Sequence, residues 1–267
     1  KESINAFVIA CAIRDSRGQE KEHKSMIINI THLNALQGQI TNAVTEYLNE
    51  LKTAITHLDG LDINDAKENS IFQRIIRTFN SDFEVPETIE VVLEHANKSI
   101  NKIQIFGVNA STNLSVDYSE YKKNGLSAII VGGYKLSRGL TLEGLSTSYF
   151  ARNSKAYDTL MQMCRWFGYR FNYEDLCKVY LPAESNEWYV HISEAISDLY
   201  AELRIMEKNN KTPKDFGLRV RDHPGALTVT ARNRMQSAAN SVINIDLWGQ
   251  IRRRFKFHAE KHQSHEV

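Results

Sequence analysis

The sequence predicts an α/β protein built on a parallel sheet with helices on both faces. Three observations carry that prediction. Short apolar runs rich in β-formers recur along the chain: "SMIINITH" (25–32), "NKIQIFGVNAS" (101–111), "LSAIIVGG" (126–133), "LSTSYFAR" (145–152) and "DLCKVYLP" (175–182). They are near-continuously apolar rather than alternating, the pattern of strands buried on both sides. Helices and loops separate them, as parallel crossovers require.

The elements follow in order. The apolar segment that opens the chain reads as a helix and ends in the charged loop "RDSRGQEKEHK". The strand at 25–32 leads into a long amphipathic helix. Leu33, Leu36, Ile40, Val44, Tyr47, Leu51, Ile55 and Leu58 repeat there at steps of three and four and mark one core face. Residues 59–98 read as an exposed loop and two short helices, "IFQRIIRTFN" and "PETIEVVLEHANKS", forming an insertion or a small helical subdomain. The remaining four strands come next. After Pro182 the stripe Ile192, Ile196, Leu199, Leu203 and Met206 marks another helix, ended by "KNNKTP". A basic strand-and-turn region and a charged tail close the chain.

The 267 residues suffice for one large domain or two small ones, and 42% hydrophobic with 24% charged residues is ordinary for a chain that buries its own core. A formal net charge of +1 means that any nucleic-acid surface is a local patch. Cys11, Cys164 and Cys177 have no CxxC spacing and fit neither a zinc motif nor a disulfide framework. Each sits among apolar residues and reads as a reduced, buried thiol. That predicts a reducing compartment, the cytoplasm. No run approaches the ~18 apolar residues of a membrane span, and no signal peptide is read at the start. A beginning without Met, inside an apolar stretch, predicts a piece of a longer protein.

Two segments that follow strands carry candidate chemistry, and α/β sheets bind ligands beyond the C-terminal ends of their strands. The first is "GGYKLSRGLTLEG" (132–144). Gly132, Gly133, Gly139 and Gly144 permit backbone shapes that expose N–H groups to phosphate oxygens. Ser137, Arg138 and Thr141 add side-chain donors, and Glu143 closes the candidate set. The alternative is a tight, glycine-rich turn. The second segment is "TLMQMCRWFGYR" (159–170). With Ser154 as N-cap, Tyr157, Leu160, Met161, Cys164, Phe167 and Gly168 face the sheet. Gln162 and Arg165 then share a stripe that points away from it, and Arg170 lies just past Gly168. Two forked guanidinium groups suit a phosphate better than lysines would. The alternative is a structural ion pair with Glu174 or Asp175.

The order of these parts resembles the second RecA-like domain of superfamily-two helicases. "SRGLTLEG" is similar to the glycine-rich loop called motif five, and "QMCRWFGYR" to the motif-six helix that supplies an arginine finger. Arg165 stands where the family has Gly, and Arg170 is displaced by one residue from the family's last Arg. The longer string "LSRGLTLEGL…YF.R.S..YDTLMQM.RWFGYR..YEDLC", with "TPKDFGLRVR.HP..L.VTARN" downstream, resembles the Z-one domain over about residues 1–236. This is a bacterial family of helicase-like proteins, labelled endonucleases, from restriction-type and other defence gene clusters.

The resemblance implies a RecA-like domain over 1–182 with a helical insertion at about 59–98, then a helical and basic extension over 183–267. It implies the C-terminal part of an ATPase acting on DNA. Arg165, Arg170 and Gln162 would be catalytic; Gly133, Ser137, Arg138, Gly139, Thr141 and Glu143 would touch nucleotide. No G-x-x-x-x-G-K-[ST] loop or acidic DExx strand end occurs here. ATP and Mg²⁺ would therefore bind an N-terminal RecA-like half, and this chain alone would hold neither. Thr31 and His32 fall where the superfamily contacts DNA backbone. Arg219, Arg221, Arg232 and Arg234 form a basic cluster, and "RRRFK" (252–256) another. Partners would be that ATPase half, DNA, and nuclease or methyltransferase components of a defence system.

Two other function classes stand beside this one. A metal-dependent endonuclease would need converging carboxylates, and "DYSEYK" (Asp117, Glu120, Lys122) and "EHK" (Glu22 to Lys24) are weak candidate triplets. No metal ligand set is assigned. A non-enzymatic DNA-binding or assembly module would instead use its arginines to hold a carboxylate.

Overall fold

The structure, a computed structural model, describes residues 1–30, 33–57, 69–108, 116–133, 136, 142–151 and 170–210, and the backbone of three short strands beyond them. The chain divides into two compact units. The first comprises 1–152 and 165–182, the second 153–164 and 183–267.

The first unit is built on the predicted sheet. Its strands are β1 (Lys24–Asn29), β2 (Ile103–Val108), β3 (Ser127–Gly132), β4 (Leu145–Phe150) and β5 (Lys178–Tyr180). All are parallel, in the order β2-β3-β1-β4-β5. This five-stranded parallel sheet flanked by helices is an α/β, RecA-like arrangement. The apolar runs explain the burial. Every residue of β1 and β3 is buried, and Met26 lies opposite Ile129 in register. Met26, Ile28, Ile129 and Val131 join the core under the helices. Ile27 and Ile130 alternate to the other face and are also 0% exposed.

Four helices pack in the layer above that core: α1 (Glu2–Ser16), α2 (Asn34–His57), α3 (Ser70–Asp82) and α4 (Ile89–Asn101). Helix α1 is buried from Ser3 to Asp15. Its sequence, "INAFVIACAI", is apolar all round, as a helix enclosed on all sides must be. It lies against α3, α4, β4 and β5. The two short helices read in residues 59–98 are α3 and α4, and they are integrated into this layer. Ile75, Val92, Ala96 and Ile100 enter the same core as α1, so the two helices are not a separate subdomain. Asn69 caps α3, accepting from Ile71 N at 2.8 Å.

Two readings need correction. Leu33 and Leu36 were placed on the core face of α2, yet they are 55% and 41% exposed. The apolar stripe of α2 becomes buried from Val44 onward, through Tyr47, Leu48, Leu51 and Ile55. Cys177 was read as buried and is exposed, whereas Cys11 is buried as expected. Burial pushes the Cys11 thiol up to about 12. Cys164 lies outside the described residues.

An ion pair sits inside this core. Lys24 Nζ is 2.6 Å from Asp15 Oδ1, and both side chains are 1% exposed. Ser99 Oγ donates to Asp15 Oδ2 at 2.5 Å, which ties α4 to the pair. The "EHK" triplet is thereby spoken for, because its lysine is the buried partner of Asp15.

The second unit contains α5 (Ala183–Lys208), whose buried side chains include Trp188, Ile192 and Met206. Leu203, expected in that stripe, is 37% exposed. Strands β6 (Arg219–Arg221), β7 (Ala238–Ala239) and β8 (Arg254–Phe257) form an antiparallel sheet in the order β6-β8-β7. Part of the presumed charged tail is thus the middle strand of a sheet. Among the described residues no helix is long and apolar enough to cross a membrane.

Candidate functional site

The C-terminal tips of β1, β2 and β3 come together at one edge of the sheet. At the tip of β3 the run "AIIV" ends in Gly132 and Gly133. A Cβ on Gly132 would stand 2.5 Å from Val108 O and 3.0 Å from Leu136 Cγ, so β3 can lie flush with β2 only if that residue has no side chain. Gly133 O accepts from Leu136 N at 3.0 Å, closing a tight turn beyond the strand. At the tip of β1, Asn29 is 1% exposed, and its Oδ1 has no hydrogen-bond partner among the described residues. A buried acceptor left open costs about 1–3 kcal/mol unless a donor reaches it. Asn29 was not singled out from the sequence. The available signal was its position, a carboxamide ending an otherwise apolar strand.

Strands β3 and β4 flank β1 on either side, and the start of β4 lies at the opposite, lower edge of the sheet. Glu143 and Gly144 lie at that lower edge. Gly144 has φ +66°, and a Cβ there would stand 1.7 Å from His23 O. Its carbonyl accepts from Ser25 N at 3.0 Å and from Arg14 Nη1 at 3.2 Å. Glu143 O accepts from Ser25 Oγ at 2.7 Å, and its carboxylate stands 3.7 Å from His23 Nε2. The candidate glycine segment therefore spans two places. Gly133 is at the tips of the strands, while Glu143 and Gly144 anchor the start of β4. Ser137, Arg138, Gly139 and Thr141 lie outside the described residues.

Arg170 is also found at the lower edge. Its Nε donates to Leu145 O, the first residue of β4, at 3.0 Å. Of the two carboxylates read as its possible structural partners, Glu174 and Asp175, the second is held by Arg17. Arg17 donates to Asp175 through Nη1 (2.9 Å) and Nη2 (2.7 Å), and to Glu87 through Nε (2.7 Å) and Nη2 (2.9 Å). This two-sided fork joins the end of α1, the α3–α4 connection and the turn before β5. It holds both carboxyls below their usual range and raises the guanidinium. Arg14 stacks on the Tyr173 ring with Cζ 4.0 Å from the centroid. Gln162 and Arg165 lie outside the described residues.

The other candidates divide similarly. Thr31, His32, Arg232 and Arg234 lie outside the described residues. Arg219 and Arg221 fall in β6, opposite Lys256 and Arg254 of β8. Alternate positions on a strand share a face, so the register brings four cationic positions from both basic clusters onto one face of this ladder. Asp117 of "DYSEYK" caps the 3₁₀ turn Tyr118–Tyr121, accepting from Ser119 N (2.9 Å) and Ser119 Oγ (2.6 Å). Those bonds keep its carboxyl below the usual range. Among the described residues no three His, Cys, Asp or Glu side chains gather as a metal site.

Comparison with known proteins adds one finding. A family model, the Z1 domain, matches residues 1–227. No curated protein and no solved structure matches the chain.

Proposed function

The chain belongs to the Z1 (Z-one) domain family, and on that premise we propose that it is the second RecA-like half of a DNA-dependent, ATP-driven helicase-like protein of bacterial defence. The observation that carries this reading is the tip of β3. Gly132 and Gly133 end a strand beside the central β1, and Ser137, Arg138, Gly139 and Thr141 follow them in the sequence. Ligands of open α/β sheets bind beyond such strand ends. The open Oδ1 of Asn29 at the neighbouring tip offers an acceptor to a ligand hydroxyl or amine.

In this reading an N-terminal RecA-like half supplies the phosphate-binding loop and the Mg²⁺ ligands, and ATP is the substrate held between the halves. The present chain contributes cationic charge to the transferred phosphoryl group. Arg170 is held on Leu145 O at the lower edge, which favours Arg165, with Gln162 beside it, for the finger. Arg170 then acts as a positioning residue that fixes the start of β4. DNA contacts come from Thr31 and His32 and from the cationic face of β6 and β8, extended by Arg232 and Arg234. Such contacts to backbone phosphate supply affinity without sequence preference.

The test uses the natural protein that carries this chain together with its ATPase half. Arg165→Ala should lower DNA-stimulated ATP turnover by roughly 10³-fold or more, with folding unchanged. Arg170→Ala should instead lower the melting temperature. Unchanged turnover in Arg165→Ala would refute the finger assignment. Mg²⁺-dependent cutting of plasmid by this chain alone would replace the reading with an endonuclease.

A further inference from the structure

The last turn of α1 carries a buried cation without a counter-charge. Arg14 is 3% exposed. Its Nε donates to Gln19 Oε1 at 2.6 Å, and its Nη1 donates to His23 O at 2.9 Å and Gly144 O at 3.2 Å. Its guanidinium also lies on the Tyr173 ring. All four partners are neutral, and the nearby carboxylates Asp15 and Asp175 are held by Lys24 and Arg17. Burial accordingly lowers the guanidinium from its ordinary value. Such a cation is costly, and an apolar side chain of similar volume would pack at less cost. What the charged fork alone supplies is several donors in fixed directions. Here its contacts reach three separate stretches of chain: the loop after α1, the end of the glycine segment and the turn after Arg170.

Two of those stretches are the exits of the candidate segments. Gly144 ends 132–144, and Tyr173 follows 159–170 by three residues. Arg14 and Arg170 take consecutive carbonyls at the start of β4, Gly144 O and Leu145 O, and both cations bear on the Tyr173 hydroxyl. Gln19 closes the network. While its Oε1 holds Arg14, its Nε2 donates to Asn172 O at 3.5 Å, and Arg17 Nη1 reaches the same carbonyl at 3.4 Å. Asn172 has φ +65°, a left-handed conformation that persists where the surroundings hold it. Both exits are therefore fixed to the end of α1 and to each other.

We propose that Arg14, seated by Gln19, is a positioning residue that holds the exits of the glycine segment and the arginine segment in one register, so that the two segments act together on nucleotide. The inference rests on the nucleotide reading of those segments and adds the element that couples them, α1. Misplacing a reacting group by about 1 Å costs on the order of 10²-fold in rate, so a shared anchor for both segments has a direct effect on turnover.

Two measurements test this. The first needs no activity. In hydrogen exchange of the 267-residue chain, Arg14→Lys keeps the charge but not the fork. It should raise exchange about tenfold at the amides of 142–147 and 170–177 together, with β2 and β3 unchanged. Gln19→Met, at a partly exposed site that should fold normally, should raise exchange in the same two stretches. Gln19→Glu keeps an acceptor for Arg14 Nε and should stay within about twofold of wild type. Exchange that rises equally in β2 and β3, or in only one of the two stretches, overturns the proposal. The second measurement uses the natural protein that carries this chain with its ATPase half. Arg14→Lys and Gln19→Met should lower kcat for DNA-stimulated ATP turnover, by about tenfold for the first, with KM for ATP changed less than about twofold. Unchanged kcat in both variants overturns the positioning role. Absence of turnover in the wild-type protein refutes the ATPase reading instead, and the exchange result then decides the coupling by itself.

Discussion

Arg17 shows what a single residue contributes that its sequence context does not announce. In "RDSRGQEKEHK" it is one charge among many and reads as a solvated loop. In the fold it forks to Glu87, 70 positions away, and Asp175, 158 positions away. Only the tertiary structure brings these carboxylates together, so no local pattern could reveal the contact. The groups are partly exposed, and solvent screens them accordingly. Arg17→Ala should therefore cost about 1–2 kcal/mol, measured by urea unfolding at neutral pH. The sign of the pH dependence follows from the lowered carboxyls. Their contribution is present above the ordinary carboxylate range and is lost as pH falls through the depressed folded values. Wild type should lose stability on acidification more steeply than Arg17→Ala. Parallel acid limbs for the two proteins would remove the fork from the stability account.

At the scale of elements, periodicity told strand from helix well and told burial less well. The five strands and the helices around them fall where apolar runs and helical stripes predict. Each such signal is local and reflects the geometry of one element. Burial depends on whether a neighbour is present. In α2 the pattern ranks Leu36 with Leu51, yet Leu36 is 41% exposed and Leu51 is 0% exposed. Helices α3 and α4 looked like an insertion because the polar run "DGLDINDAKENS" separates them from α2 in the sequence, but their apolar faces close over α1. Two substitutions test this division. Ile100→Ala in α4, at a fully buried site, should cost about 2–5 kcal/mol in unfolding free energy. Leu36→Ala should change it by less than about 0.5 kcal/mol. Similar losses at both sites would mean that the stripe of α2 is covered along its whole length.

For the whole molecule, a net charge of +1 argues against a diffuse attraction for DNA and makes arrangement the deciding factor. The register of β6 against β8 sets Arg219 opposite Lys256 and Arg221 opposite Arg254. If the β6–β8 ladder is the DNA surface proposed above, duplex affinity falls with salt, with a logarithmic slope of roughly −0.9 per phosphate contact. Removing Arg219 and Arg221 together should reduce that slope by about two contacts. A salt-independent affinity would exclude the β6–β8 ladder as a DNA surface. By itself the sequence determined the parallel α/β class, the element order and the family, because these follow from local periodicity and residue type. Tertiary structure alone decided that Arg170 and Glu143 lie at the lower edge of the sheet while Gly133 lies at its tips. It also decided that Asp175 belongs to Arg17. Which end of a strand a loop residue occupies, and which distant charge it meets, depends on contacts between elements far apart in the chain, and no local spacing encodes those.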